Sequence, residues 1–396
     1  MHRLFLTVFF VVFFGSATAM SVNEAALAGS TCPHGGLVDA EFRDAAVATL
    51  ERLTVQAPGR TAHGAIRAHQ TAGFVDTAGR AWHQVSAYQV NLGMIGALRV
   101  APQLLPLAQD WLGWQARHMA VLGPSRGVVL DHWVRADDLA ESTCPPGMAQ
   151  SLCGHVDAFD STAASTLLMA DAFLRHGGSI FVLREPAMRQ ALEAAATALR
   201  ELTTPEGLTM AKPNYRVMYT MDLVEVAAGW RAWARVQRDA YSEPQSGEIS
   251  LAAARRAGLA LRTHLWDATA KTWRVSQGAG APQLQRWYPD TVAQAWPLLW
   301  DADAGPEKRA RDTWRRAIAP WQSPTLHWAR SNVDPDGFFW PAVAVAARCT
   351  GNDAAARQWV ARVRLRWLDP ADPFPWPFQV GDLLWLLWLA DPPQAP

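Results

Sequence analysis

The chain of 396 residues carries 36 basic and 36 acidic residues, and half of it is apolar. The basic residues are scattered, so the sequence lacks the electropositive footprint of a nucleic-acid-binding protein, and no nucleic-acid partner is expected. The length suits one large domain with a sizeable core. Tryptophan is abundant, with 20 copies against 5 of tyrosine, and its ring suits both core packing and contact with polar groups.

Residues 1–19 have the pattern of an export signal peptide. His2 and Arg3 supply a positive start, residues 4–14 are almost continuously apolar, and a small-x-small cleavage site follows. No later stretch is long and apolar enough to predict a membrane span. We therefore expect a mature chain of residues 20–396 that forms a single domain, is periplasmic or secreted, and has no stable membrane span after signal removal.

Export makes disulfide bonds possible for the four cysteines of the mature chain. Cys144 and Cys153 enclose a short loop rich in Pro and Gly and are the pair easiest to bridge, although three connectivities are possible. Cys32 and Cys349 have no Cys or His nearby at the spacing of zinc ligands. No HExxH or comparable spacing is present, so we expect neither a metal nor a cofactor.

After the signal peptide the chain alternates two kinds of helical segment. One kind is amphipathic, with apolar residues on one stripe, and the other is apolar nearly all round. The six amphipathic segments are 39–55, 104–119, 185–202, 249–265, 306–321 and 353–367. The six apolar segments are 88–100, 161–175, 222–237, 290–300, 338–349 and 380–389.

This alternation predicts an outer ring of amphipathic helices around an inner ring of apolar helices. The expected fold is all-α, an (α/α)6 toroid of six helical hairpins. An open α-solenoid is the competing architecture, and it is disfavoured because the repeats share no sequence signature and their spacing drifts. Strands are expected only in short loop hairpins such as 272–275.

Acidic residues recur at the starts of the apolar segments. Inner helices of a toroid run in one direction, so their N-termini meet at one mouth of the ring. Five of the six segments place carboxylates there, namely Asp160, Asp222 with Glu225, Asp290, Asp334 with Asp336, and Asp382. The first segment begins with Tyr88 and Asn91 instead. Because Asp is also a favoured N-cap, capping is the alternative role for Asp160, Asp290 and Asp336.

Glu225 fits a capping role poorly. It lies one turn after Asp222, so the two carboxylates share a face of the helix. Repulsion between them inside an apolar ring would raise the pKa of one. A raised carboxyl pKa is the condition for a general acid that works near neutral pH.

Two loops at the same mouth hold further candidate residues. Loop 127–161 is long for a compact domain, and such loops are usually functional. Its candidates are Asp131, His132, Trp133 and Asp157. The loop before the third apolar segment adds Lys212, Tyr215 and Tyr219.

Three segments resemble the six-hairpin glycosidase-like superfamily of (α/α)6 toroids. They are DAFDSTAASTLLMADAFL (157–174), GLTMAKPNYRVMYTMDLVEVAAGWRAW (207–233) and RWYPDTVAQAWPLLW (286–300), which match in order and at inner-helix starts. The resemblance implies carbohydrate chemistry at the ring mouth. In that chemistry one carboxylic acid protonates the leaving oxygen and a second carboxylate activates water.

The resemblance also assigns roles by position. Glu225 is the candidate acid and Asp160 the candidate base, with Asp222 and Asp290 as substitutes. The candidate substrate-binding residues are Tyr88, Asn91, Asp131, His132, Trp133, Asp157, Lys212, Trp287, Tyr288, Asp336, Trp340 and Trp376. The Trp residues and Tyr288 among them are expected to line sugar subsites.

We therefore expect an exported carbohydrate-active protein, a glycoside hydrolase that acts on a polysaccharide or oligosaccharide. Two alternatives stay open. One is a polysaccharide lyase that uses Tyr215, Tyr219 and His132. The other is a non-catalytic glycan-binding or polysaccharide-assembly protein on the same ring.

Overall fold

The computed structural model describes residues 32–300 and 307–393, so the expected signal peptide lies outside it. The described helices are, in chain order, α1 (Ala40–Leu53), α2 (Ala87–Val100), α3 (Leu105–His118), α4 (Phe159–Arg175), α5 (Ile180–Arg184), α6 (Pro186–Leu202), α7 (Thr220–Asp239), α8 (Pro244–Ala260), α9 (Trp296–Leu299), α10 (Glu307–Ile318), α11 (Pro341–Cys349), α12 (Asp353–Trp367) and α13 (Leu383–Trp388). Apart from the short linker α5, they correspond to the twelve predicted segments.

The fourth inner segment is broken rather than continuous. A π-turn at Trp287–Thr291 and a 3-10 turn at Val292–Gln294 precede α9. Similarly, a 3-10 turn at Val380–Asp382 leads into α13.

The inner helices form a closed ring. Each packs against the next in chain order, from α2 through α4, α7, α9 and α11 to α13, and α13 packs back against α2. This last contact excludes the open solenoid, because the two ends of a solenoid do not meet. The predicted all-α (α/α)6 toroid is therefore confirmed.

Burial explains which helices lie inside. Every side chain of α4 from Asp160 to Phe173 is buried. The outer helix α6 instead buries one stripe, which includes Met188, Leu192 and Leu199 at helical spacing. No helix in the described ranges is long and apolar enough to cross a membrane.

Two glycines let the first and last inner segments approach closely. A Cβ atom on Gly93 would collide with the carbonyl oxygen of Val380, and one on Gly96 would lie 2.6 Å from the carbonyl oxygen of Leu383. The seam that closes the ring therefore depends on residues without side chains.

A backbone bridge and one of the two disulfides connect the segment before α1 to the last inner helices. Val38 forms a parallel bridge with Ala390, next to the end of α13. Cys32 pairs with Cys349 at the end of α11, with a Cα–Cα distance of 4.7 Å. The expected pair Cys144–Cys153 also forms, with a Cα–Cα distance of 4.5 Å.

Strand content differs from the expectation in one place. The expected hairpin is present as β5 (Trp266–Asp267) and β6 (Thr272–Trp273). In addition, the described residues contain a four-stranded antiparallel sheet of β1 (Phe74–Val75), β2 (Ala81–Val85), β3 (His132–Arg135) and β4 (Glu141–Ser142). It pairs Val85 with His132 across a long sequence separation, which local patterns do not reveal. Because β2 leads into α2, this sheet holds part of the ring mouth.

Candidate active site

A cavity of about 830 Å³ opens at the ring mouth where the inner helices begin. Each of the six inner segments contributes to its lining, through Tyr88, Ser161, Asp222, Tyr288, Trp340 and Asp382 among others. The inner helices thus share a direction, and their N-terminal ends build one site. A cavity of this size suits a small-molecule or oligomeric ligand.

Glu225 lies in this cavity and is held by two donors from other helices. The Tyr88 hydroxyl donates to Glu225 Oε1 over 2.9 Å, and Trp296 Nε1 donates to the same oxygen over 2.8 Å. The side chain is only 3% exposed. Burial raises the pKa of Glu225 to about 7, although these hydrogen bonds oppose the shift. The carboxyl group can therefore hold or release a proton near neutral pH.

Asp222 lines the cavity one turn before Glu225. Burial is the main cause that raises the pKa of Asp222 well above its usual value, and the charges of Asp160 and Glu225 add to the shift. The predicted repulsion between carboxyl groups on α7 is therefore present, and Asp160 adds to it. Asp222 therefore favours its protonated form more than an ordinary carboxyl group does.

Asp160 lies behind the cavity wall. Its side chain is fully buried and does not line the cavity. Its Oδ1 accepts a hydrogen bond of 2.9 Å from the amide of Ser161, and burial raises its pKa to about 7. The predicted base therefore does not line the cavity, and its charge raises the pKa of Asp222.

Asp131 reaches the cavity from the loop before β3. Gln84 Nε2 on β2 donates to its Oδ2 over 2.6 Å. Burial raises the pKa of Asp131 to about 7, hydrogen bonds from Gln84 and Ser86 oppose the shift, and the charges of Asp157 and Lys212 act in opposite directions. Lys212 and Asp157 line the same cavity, as predicted by position.

An aromatic wall faces these carboxyl groups. Tyr288 and Trp340 stack with ring centroids 5.0 Å apart and an interplanar angle of 22°. Trp340 has a left-handed backbone, with φ of 54°, which is strained for a bulky residue. Its indole donates to Asp334 Oδ2 over 2.7 Å. This contact holds the ring at the cavity despite the backbone strain.

Three polar candidates lie outside the cavity lining. Asp290 accepts a hydrogen bond of 2.7 Å from the amide of Gln283 in its own loop. Asn91 is buried between helices and accepts a hydrogen bond of 2.9 Å from Trp111 Nε1. Asp336 lies exposed in a turn outside the cavity lining. The first two stabilise the scaffold, because their hydrogen-bonding atoms serve other parts of the protein.

Four ring-bearing candidates also lie outside the cavity lining. Trp287 packs edge-on against Trp321, and Trp133 belongs to a small buried cluster under the sheet. His132 packs against Trp114 and His118, with Nδ1 bonded to the Leu130 carbonyl. Trp376 is 53% exposed beyond the cavity rim.

Several cavity residues were not among the predicted site residues. They include Gln84, Ser161, Trp296, Gln379 and Asp382, of which Asp382 was expected at the mouth without a site role. Ser161 and Trp296 lie within segments 157–174 and 286–300, which resemble the six-hairpin superfamily, so the sequence could have indicated both as site residues. No sequence pattern indicated Gln84, because its position at the cavity depends on the pairing of β2 with β3. Asp382 accepts a hydrogen bond of 3.1 Å from the Gln379 amide, and burial raises its pKa to about 7.

The sequence matches no protein-family model and no curated protein, whereas the structure resembles solved glycosidases. A structure described as a wild-type glycosidase has a TM-score of 0.58 and 14% identity, covering 93% of this chain and 97% of that one. A glycosidase variant has a TM-score of 0.56 and 13% identity over the same shares. A protein described as a novel alpha-amylase from Clostridium perfringens has a TM-score of 0.50 and 10% identity, covering 88% and 97%. The chain therefore has the six-hairpin glycosidase-like fold, an all-helical (α/α)6 toroid.

Proposed function

We propose that this protein is an exported glycoside hydrolase that cleaves its substrate at the inner-helix mouth. The observation that carries the proposal is the setting of Glu225, a buried carboxyl group in a large cavity, held by donors from two other inner segments. Sugars suit such a cavity because it combines an aromatic wall with many hydrogen-bonding groups.

Glu225 is the proposed general acid. Tyr88 and Trp296 both donate to Oε1, so the proton is carried on Oε2. Its pKa of about 7 leaves a substantial protonated fraction at neutral pH. Donation of that proton to the glycosidic oxygen would make the departing sugar a good leaving group.

Asp131 is the proposed base in place of Asp160. It is a carboxyl group of the cavity that lies on a different element from α7, and the hydrogen bond from Gln84 favours its charged form. A base on a separate element can act on water from another side of the sugar than the acid. Asp160 is proposed as a positioning residue whose charge, after burial, raises the pKa of Asp222.

The make-up of the cavity lining favours hydrolysis over the lyase alternative. Five carboxyl-bearing residues line it, namely Asp131, Asp157, Asp222, Glu225 and Asp382. A lyase must bind and neutralise the carboxylate of a sugar acid, and Lys212 is the one Lys or Arg residue among the described residues that line the cavity. Of the predicted lyase set, Tyr215 and Tyr219 line the cavity but His132 does not.

The test is a product assay on a broad glycan panel. We expect new reducing ends without ultraviolet absorbance, and a loss of at least about 1,000-fold in Glu225→Gln and Asp131→Asn. Asp336→Asn, an exposed acid outside the cavity, is the matched control and should keep full activity. Unsaturated products would identify a lyase, and binding without products would identify a non-catalytic protein. Full activity in both variants would refute the site.

Export is supported by the signal pattern of residues 1–19 and by both disulfides, which suit an oxidising compartment. Mass spectrometry of the mature protein should find an N-terminus near Met20. Retention of residues 1–19 in the folded protein would contradict this expectation.

A further inference from the structure

A groove lies on the outside of the ring, between the outer helices α6 and α8 and over the inner helix α7. It has two adjoining parts with volumes of about 230 and 460 Å³, and both parts are lined by Arg200, Trp230, Ala253 and Arg256. We call it the arginine groove. None of the described residues that line it also lines the mouth cavity, so the groove is separate from the proposed active site.

The two arginines of the groove have no acidic partner. Neither Arg200 nor Arg256 forms an ion pair with a carboxylate in the part of the chain that the structure describes. Arg200 donates a hydrogen bond of 2.6 Å to the Thr197 hydroxyl, which carries no charge. Burial is the main cause that lowers the pKa of Arg200, and the charges of Glu193 and Arg126 act on it in opposite directions.

Ordinary surface roles do not account for both cations. Arg189, on the same helix as Arg200, pairs with Glu193 and Glu243. The helix dipole stabilises a cation in a last turn, which is where Arg200 lies in α6. The last turn of α8 contains no basic residue, so the dipole does not explain Arg256. Two cations that line one groove repel each other, and an anion between them would relieve that repulsion.

The rest of the groove supplies apolar surface and hydroxyl groups. Trp230 lines both parts and is 4% exposed. The smaller part also has Thr203 and Thr209 in its lining. The larger part has Ile249, which is 73% exposed and so leaves an apolar side chain available for contact. The lining therefore suits a ligand that joins an anionic group to a carbon skeleton.

The loop after α6 helps to place one of the two arginines. Gly207 has a φ of 92°, and a Cβ atom there would lie 2.8 Å from Cγ of Arg256. Because residue 207 has no side chain, the stem of Arg256 can pack closely against this loop while the residue lines the groove. A side chain that is already packed loses less freedom when it binds a ligand.

We propose that the arginine groove binds an oxyanion group, a carboxylate or a phosphate, between Arg200 and Arg256. A planar guanidinium can donate two parallel hydrogen bonds to such a group, and it keeps its charge at any physiological pH. The carbon skeleton of the ligand packs against Trp230 and Ile249. The oxyanion belongs either to a small free anion or to an acidic sugar of a glycan chain, and both sources share this chemistry.

The test is isothermal titration calorimetry at constant ionic strength with inorganic phosphate, galacturonate and trigalacturonate. All proteins carry Glu225→Gln, so that no probe is hydrolysed. Arg200→Gln and Arg256→Gln each remove one guanidinium from the groove. Arg255→Gln is the matched control, because Arg255 is the exposed neighbour of Arg256 on α8 and lies outside the groove lining. Lys212→Gln tests the mouth cavity, which this lysine lines.

We expect at least one probe to bind the parent with a Kd of about 1 mM or lower. Binding should weaken at least about 10-fold in each groove variant, because each loses charge-assisted hydrogen bonds. Phosphate bound at least as tightly as both galacturonates would identify a free anion as the ligand. Tighter binding of either galacturonate would identify an acidic sugar.

Three results would overturn the proposal. The first is the absence of saturable binding for all three probes. The second is unchanged affinity in either groove variant. The third is an equal loss in Arg255→Gln, which would indicate non-specific attraction between charges, or in Lys212→Gln, which would place the probe in the mouth cavity.

Discussion

Tyr88 and Glu225 are joined by a hydrogen bond of 2.9 Å between the first and third inner helices. These two helices are not neighbours, because α4 lies between them in the ring order. The bond therefore depends on ring closure, which brings the N-termini of separate hairpins to one cavity. The acidity of Glu225 is a property of the whole toroid and not of α7 alone.

This bond predicts the effect of Tyr88→Phe. The hydroxyl donor lowers the pKa of Glu225, so its removal should raise that pKa. A hydrogen bond to a charged group contributes about 1.5–3 kcal/mol, which corresponds to about one pKa unit or more. The alkaline limb of the pH dependence of kcat/KM should move up by about one unit. Tyr215→Phe, whose hydroxyl contacts Tyr219 instead, should leave it in place. A downward shift in Tyr88→Phe would contradict the assigned acid.

The buried acids predict how stability depends on pH. Burial raises the pKa of Asp131, Asp160, Glu225 and Asp382 to about 7 in the folded state, against about 4 in the unfolded chain. Their contribution to stability is complete below about pH 4 and is lost as pH rises to about 7. The melting temperature should therefore be higher at pH 5 than at pH 8. A melting temperature that rises over this interval would contradict the raised pKa values.

Below about pH 4 the melting temperature should instead fall as the pH falls. Glu141 accepts hydrogen bonds from Trp114 and lies beside His118, and its pKa is lowered to about 2. Its stabilisation is present above about pH 4 and is lost as pH falls towards 2. Thermal melts between pH 2 and 8 should thus show maximal stability near pH 4 to 5.

Gly93 and Gly96 lie where the first and last inner segments meet, so a single added methyl group there should destabilise the fold. In Gly93→Ala the new Cβ would meet the backbone of Val380, which cannot move without opening the ring. We expect a loss of at least about 2 kcal/mol in unfolding free energy. Gly113→Ala in α3 is the matched control, because its Cβ would meet only the end of Arg117 at 3.5 Å. Alanine there should be neutral or stabilise by up to about 1 kcal/mol. Equal effects in both variants, measured by urea unfolding, would contradict tight closure at this seam.

The two disulfides should contribute unequally. Cys32–Cys349 spans 317 residues of sequence and Cys144–Cys153 spans 9. Loop-closure entropy of the unfolded chain predicts a loss of about 5 kcal/mol for Cys32→Ala/Cys349→Ala and about 3 kcal/mol for Cys144→Ala/Cys153→Ala. Melting temperatures of the two double variants test the order. A greater loss for the short loop would mean that native contacts, and not chain entropy, set these contributions.

The amino-acid sequence alone determined the twelve helical segments and their two kinds. Hydrophobic periodicity is a local property, so the alternation of amphipathic and apolar segments predicted twelve helices and their inner or outer placement. It also placed Asp222 and Glu225 on one helix face, since that relationship needs only the helical repeat.

Only the tertiary structure decided which side chains reach the cavity. Asp160 and Asp290 start inner segments as predicted, but neither lines the cavity, and their carboxyl groups accept hydrogen bonds from backbone amides of Ser161 and Gln283. Asp131 reaches the cavity because β3 pairs with β2, a contact between distant parts of the chain. The orientation of one side chain at a shared mouth depends on six hairpins closing together, and no local pattern encodes that closure.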